Sequence, residues 1–99
     1  MKSIQTENLI EVDAFCLHNH VETSFISLLK QSGLIEILLI QDTRFIEAEQ
    51  LPQLEKMVRF YYDWNINLEG IETITYLLQQ INVLQGEMNI LRNKLLFYE

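Results

Sequence analysis

The sequence predicts a mainly α-helical protein with a small β-hairpin set among its helices. Three observations carry this reading. Apolar residues recur at helical spacing in two short stretches between Ile10 and Ser32. An aliphatic, β-branched run from Ile35 to Ile46 is split by the polar pair Gln41-Asp42. An apolar repeat stepping 3, 4, 3, 4, 3, 4, 3 then runs from Ile74 to Tyr98.

Val12, Phe15 and Cys16 fall on one face of the first helix, and Asn19-His20 interrupts the pattern. Phe25, Leu28 and Leu29 restart it, with Glu22 and Thr23 near the helix start and Gly33 as a C-terminal signal. Two short helices joined by a tight connection resemble a helix-turn-helix. Ile37–Ile40 and Thr43–Ile46 read as the two strands of a wing, whose turn lacks Gly and leaves the register open. A third helix is expected from Glu49 to Trp64, with Pro52 in its first turn, where a missing N–H costs nothing. Leu51, Leu54, Met57, Val58, Tyr61 and Trp64 make its apolar arc, and Phe60 and Tyr62 flank that arc. Asn65-Ile66-Asn67 breaks the helix. A last helix is expected from Leu68 to Phe97. Its seam is Ile74, Leu77, Ile81, Leu84, Met88, Leu91, Leu95 and Tyr98, and Gly86 lies off it. The expected organisation is a winged helix-turn-helix region with the third helix over residues 1–67. A dimerisation helix over 68–99 completes one compact unit.

Ninety-nine residues suit one domain with a modest core. Fourteen acids against seven bases leave a formal charge of −7. Residues 1–50 hold eight acids and three bases, so the charge is concentrated there. Such a field repels polyphosphate and favours basic partners, with solubility as the plainer explanation. No signal peptide is visible, and the longest unbroken aliphatic run, Ile37 to Ile40, is far too short to span a membrane. The single cysteine, Cys16, excludes an internal disulfide and points to a reducing cytoplasm.

No constellation of catalytic residues stands out. Gly33, Gly70 and Gly86 are too far apart for a phosphate-cradling loop. The acids Glu47 and Glu49 read as a solvated approach to a helix. Cys16, His18 and His20 invite a metal reading, but they are the only Cys and His residues, one short of a four-ligand structural zinc site. The protein is therefore expected to be no enzyme and to need no metal or cofactor.

The order helix-turn-helix, wing, helix, coiled-coil helix resembles the MerR-type regulators, and Ile66-Asn67-Leu68-Glu69-Gly70-Ile71 looks like the turn that opens their last helix. The chain is more closely similar to the bacterial chaperone-modulator family (CbpM-like), a branch of that superfamily. The likeness rests on Phe15-Cys16-Leu17-His18, on Gly33-Leu34-Ile35, on the charged, aromatic stretch Leu54 to Tyr61, and on the Leu-, Gln- and Asn-rich stretch Leu84 to Leu95. It covers nearly the whole chain. The resemblance implies binding to the J-domain of a DnaJ-like, curved-DNA-binding co-chaperone, with inhibition of its action on Hsp70. By charge complementarity, an acidic modulator is expected to cover the basic helix of that J-domain.

A DNA-binding transcription regulator of MerR type is the alternative, and the second helix separates the two. A DNA-reading helix needs Arg or Lys. Glu22 to Ser32 offers only Lys30, and the wing only Arg44, so direct nucleic-acid binding is not expected. The candidate partner-binding residues are Glu11, Asp13, Glu22, Glu47 and Glu49, with Tyr62 as an aromatic anchor. For each acid plain solvation competes with that role, and for Tyr62 packing at the core margin does. The seam predicts a homodimer, with packing of its first part, Ile74 to Ile81, on the chain's own third helix as the alternative. The flanking charges Glu87, Arg92, Lys94 and Glu99 are compatible with parallel or antiparallel pairing, and resemblance to MerR-type dimers favours antiparallel.

Overall fold

The structure is a computed structural model that describes residues 8–98; residues 1–7 and Glu99, with the charge pairing assigned to Glu99, lie outside the described residues. The chain runs β1 (Leu9–Glu11), α1 (Val12–Asn19), α2 (Thr23–Gln31), β2 (Leu38–Ile40), β3 (Thr43–Glu47), a 3-10 turn (Ala48–Gln50), α3 (Leu51–Tyr62) and α4 (Leu68–Tyr98). The predicted order of helices and wing holds. The wing gains one strand, because Ile10, expected at the start of the first helical stretch, lies in β1 instead. That strand pairs antiparallel with β3, Leu9 opposite Glu47, Ile10 opposite Ile46 and Glu11 opposite Phe45. The sheet order is β1-β3-β2. Three residues are too few to display a period of two, and the partner that stabilises them is distant in sequence.

Both short helices end in a left-handed residue. His20 closes α1 at φ 56°, and the Val21 N–H donates to the Cys16 carbonyl at 2.9 Å. At the end of α2, Gly33 at φ 76° donates to Lys30 and Leu34 donates back to Leu29, both at 3.0 Å. This is the Schellman arrangement, and it needs a residue without a Cβ penalty. The core gathers from every layer: Val12, Phe15 and Cys16 of α1, Phe25, Ile26 and Leu29 of α2, Ile46 of β3, Leu54 and Met57 of α3, and Ile71 of α4. Gln50 ties the wing to the helices, accepting from the Glu36 N–H at 2.8 Å and donating to the Glu36 carbonyl at 2.9 Å.

The wing turn has positive φ at both central residues, 48° at Gln41 and 64° at Asp42. That is the signature of a type I′ turn, which matches the twist of the flanking strands. It fixes the register as Leu38 opposite Phe45 and Ile40 opposite Thr43. Holding two side-chain-bearing residues there is costly, and Asn-Gly is the preferred pair. Gln41→Asn with Asp42→Gly is expected to raise unfolding free energy by about 1 kcal/mol, read from the denaturant midpoint at unchanged slope.

Trp64 is not part of α3, which ends at Tyr62. The ring sits beyond the helix, 64% exposed, with its centroid 5.8 Å from that of Phe60. Helical spacing in sequence could not reveal that stop, because the chain turns through a left-handed Asn65 (φ 54°) and bonds back from the Ile66 N–H to the Phe60 carbonyl. Asn67 then caps α4, its Oδ1 accepting from the Gly70 N–H at 2.8 Å. A Cβ on Gly70 would stand 2.7 Å from the Ile66 side chain, so this elbow requires glycine. Within α4 only Ile71 and Thr75 are buried against the rest of the chain, and Ile74 is half-buried. From Tyr76 onward the described part of α4 is exposed on all sides.

Candidate partner-binding surface

The alternation of the three strands sorts side chains to two faces. Ile10 and Ile46 face the core. Leu9, Glu11, Phe45, Glu47 and Leu38 share the other face, and Glu11, Phe45 and Leu38 form one row across the three strands. Leu9 and Phe45 are half-buried, Leu38 is exposed, and both acids are exposed. The result is an apolar strip with a carboxylate on either side. Pairing of β1 with β3 brings Glu11 and Glu47 onto this common face. Sequence reasoning selected both acids but missed Leu9, Leu38 and Phe45 as their neighbours, since the alternation becomes readable only once β1 is recognised.

The remaining candidates lie elsewhere. Asp13, in the first turn of α1, pairs with Arg44 of the wing at 3.4 Å. Arg44 also donates to Ser27 Oγ of α2 at 3.3 Å. Its guanidinium therefore clasps α1, α2 and the sheet together. Glu22 stands at the start of α2 and accepts from the Ser24 hydroxyl at 3.3 Å. Glu49 is exposed in the 3-10 turn. Tyr62 accepts a hydrogen bond from the Glu22 N–H at 3.0 Å, so it satisfies a backbone donor at the start of α2. Its ring meets Phe25 edge-on, with centroids 5.7 Å apart, and is 38% exposed. It is thus both a tether and an accessible aromatic edge.

On the face that reads DNA in a winged helix-turn-helix, the bases are few. Thr23, Ser24, Leu28, Lys30 and Gln31 are the exposed residues of α2, and Lys30 alone is cationic. Arg44 is engaged as described. Cys16 is buried, and burial, with a further push from Asp13 that Arg44 partly offsets, raises its thiol above the usual range. His18 and His20 are exposed. Among the described residues, no three His, Cys, Asp or Glu side chains stand together as a metal would need, and no helix is long and apolar enough to cross a membrane.

These elements define a winged helix-turn-helix protein with a long C-terminal helix. The sequence matches the family described as MerR HTH family regulatory protein over residues 10–93. The chain belongs to that family. Comparison with curated proteins and with solved structures gives no match.

Proposed function

We propose that this protein is a non-enzymatic modulator that binds the J-domain of an Hsp70 co-chaperone and inhibits it, working as a homodimer through α4. The observation that carries the reading is the state of the DNA-facing bases. Arg44 is held by Asp13 and Ser27, and Lys30 is left as the one cation of α2. A specific DNA-binding protein draws much of its affinity from several phosphate contacts, which this surface does not offer. The resemblance to chaperone modulators runs along nearly the whole chain. The −7 charge and the acid-flanked strip of Leu9, Phe45 and Leu38 suit a basic amphipathic helix, with Glu11 and Glu47 providing charge complementarity. Tyr62 and Glu22 extend the same reading toward α2.

The test is ATP hydrolysis by Hsp70 stimulated by the cognate J-domain protein and titrated with this chain. Stimulation is expected to fall at a few-fold molar excess, and Glu11→Lys with Glu47→Lys is expected to weaken the effect. Undiminished stimulation, together with no heat of binding by calorimetry, would reject the proposal. A MerR-type DNA-binding regulator is the second reading, with which the family match is equally compatible. Fluorescence anisotropy at low salt decides it. Only weak binding, without preference among duplexes, is expected. Sub-micromolar binding whose affinity drops steeply with salt would report phosphate contacts and favour the regulator.

A further inference from the structure

Strand alternation brings two more side chains to the outer face of the sheet. Ile40 lies opposite Thr43, two residues along from Leu38 and Phe45, so it shares their face. Glu36 precedes Leu38 by two residues. The residues that alternate with it turn inward, Ile35 buried and Ile37 half-buried against the core, so Glu36 stands beside Leu38 and level with Glu47. Beyond Leu38 the ladder stops, and the side-chain amide of Gln50 bonds both the N–H and the carbonyl of Glu36. The exposed carboxylate is thereby carried on a pinned backbone at the edge of the sheet. With these additions the apolar side chains form a diagonal band, Ile40, Leu38, Phe45 and Leu9, running from β2 across β3 to β1. Glu11 lies on one side of the band, and Glu47 and Glu36 lie on the other. Arg44 points to the opposite face, toward Asp13 and Ser27. Lys30 lines the groove between α2 and β2 together with Glu36 but forms no ion pair with it.

We propose that this band seats about three turns of a basic amphipathic helix of the partner, lying diagonally across all three strands, with Glu36 as a third anchoring carboxylate beside Glu11 and Glu47. The inference rests on the J-domain reading above and specifies its footprint. Corner to corner the band measures about 17 Å, two strand spacings across and four residues along. At 1.5 Å per residue that is about 11 residues of helix, enough to lay apolar positions from three successive turns on it. Glu47 and Glu36 stand on neighbouring strand positions about 5 Å apart, close to the spacing of side chains one turn apart on a helix. The bound helix therefore carries two bases one turn apart on one flank and a single base on the other, facing Glu11. A second copy of this chain would set the same three carboxylates against each other, and nucleic acid is repelled by them.

Calorimetry of the full chain with two probes tests the footprint. One probe is the J-domain protein. The other is an Ala-based helical peptide of about 16 residues, with leucines along one face and lysines on both flanks. Both are expected to bind. Glu36→Lys is expected to weaken each roughly tenfold, with circular dichroism unchanged, and Glu36→Gln to weaken each less. Ile40→Thr, which keeps a β-branched side chain in the strand, is expected to weaken both several-fold. The same peptide with glutamates in place of its lysines is expected not to bind. J-domain binding that ignores Glu36→Lys and Ile40→Thr would overturn the footprint and leave the J-domain reading standing. Binding of the lysine peptide that is lost in these variants, without any binding of the J-domain protein, would support the footprint and reject that reading. Equal binding of the lysine and glutamate peptides, or binding of neither probe, would overturn the footprint.

Discussion

Replacing Leu84 and Leu91 together by Asp is expected to leave the protein monomeric in sedimentation, with the N-terminal fold intact. Neither leucine is held by its own chain: Leu84 is 57% exposed and Leu91 60%. The contacts of α4 with the rest of the chain are made earlier, between Leu68 and Thr75. The double change removes four leucines from a dimer and puts four carboxylates in their place. At about 1.5 kcal/mol for each leucine the loss is about 6 kcal/mol, before any cost of burying charge. That corresponds to a dissociation constant higher by about four orders of magnitude. Unfolding of the monomeric variant should remain cooperative, because every core residue other than Ile71 precedes α4. An unchanged mass would exclude this seam as the dimer contact.

Leu29→Ala is expected to cost about 2–5 kcal/mol of unfolding free energy, measured by chemical denaturation. Leu29 is fully buried in α2, and its carbonyl accepts the bond that closes the helix. A domain with so few buried side chains sits toward the low end of the usual 5–15 kcal/mol, so the change leaves a substantial unfolded fraction near physiological temperature. A loss below about 1 kcal/mol would mean that the core collapses around the missing leucine.

The helices were legible because their signals are local. Gly33 marks the end of α2, Pro52 the start of α3, and the seven-residue repeat α4 from Ile74 onward. What sequence could not supply was long-range or conformational. β1 exists because Ile10 meets Ile46, and no local period announces three residues. The wing turn is formed by Gln41 and Asp42 in left-handed conformations that neither residue advertises. Trp64 continues the helical spacing of α3 yet lies outside it, because Asn65 reverses the chain just beyond. Among candidate site residues, the acids were readable as charges. Their company was not: Asp13 is engaged with Arg44, and Glu11 and Glu47 border an apolar strip that only strand pairing creates. Tyr62 reads in sequence as an aromatic at the margin of the apolar arc, while its bond to the Glu22 N–H depends on the packing of α3 against α2.

The elbow at Asn67 and Gly70 turns α4 into a lever. Thirty-one residues of helix extend about 46 Å at 1.5 Å per residue. A tilt of about 5° at the fulcrum displaces the far end by about 4 Å, roughly three-quarters of the rise of one helical turn. The side-chain cap of Asn67 and the close seat of Gly70 on Ile66 set the angle at which that arm leaves the domain. In the proposed dimer they would therefore govern how far apart, and in what orientation, the two domains are carried.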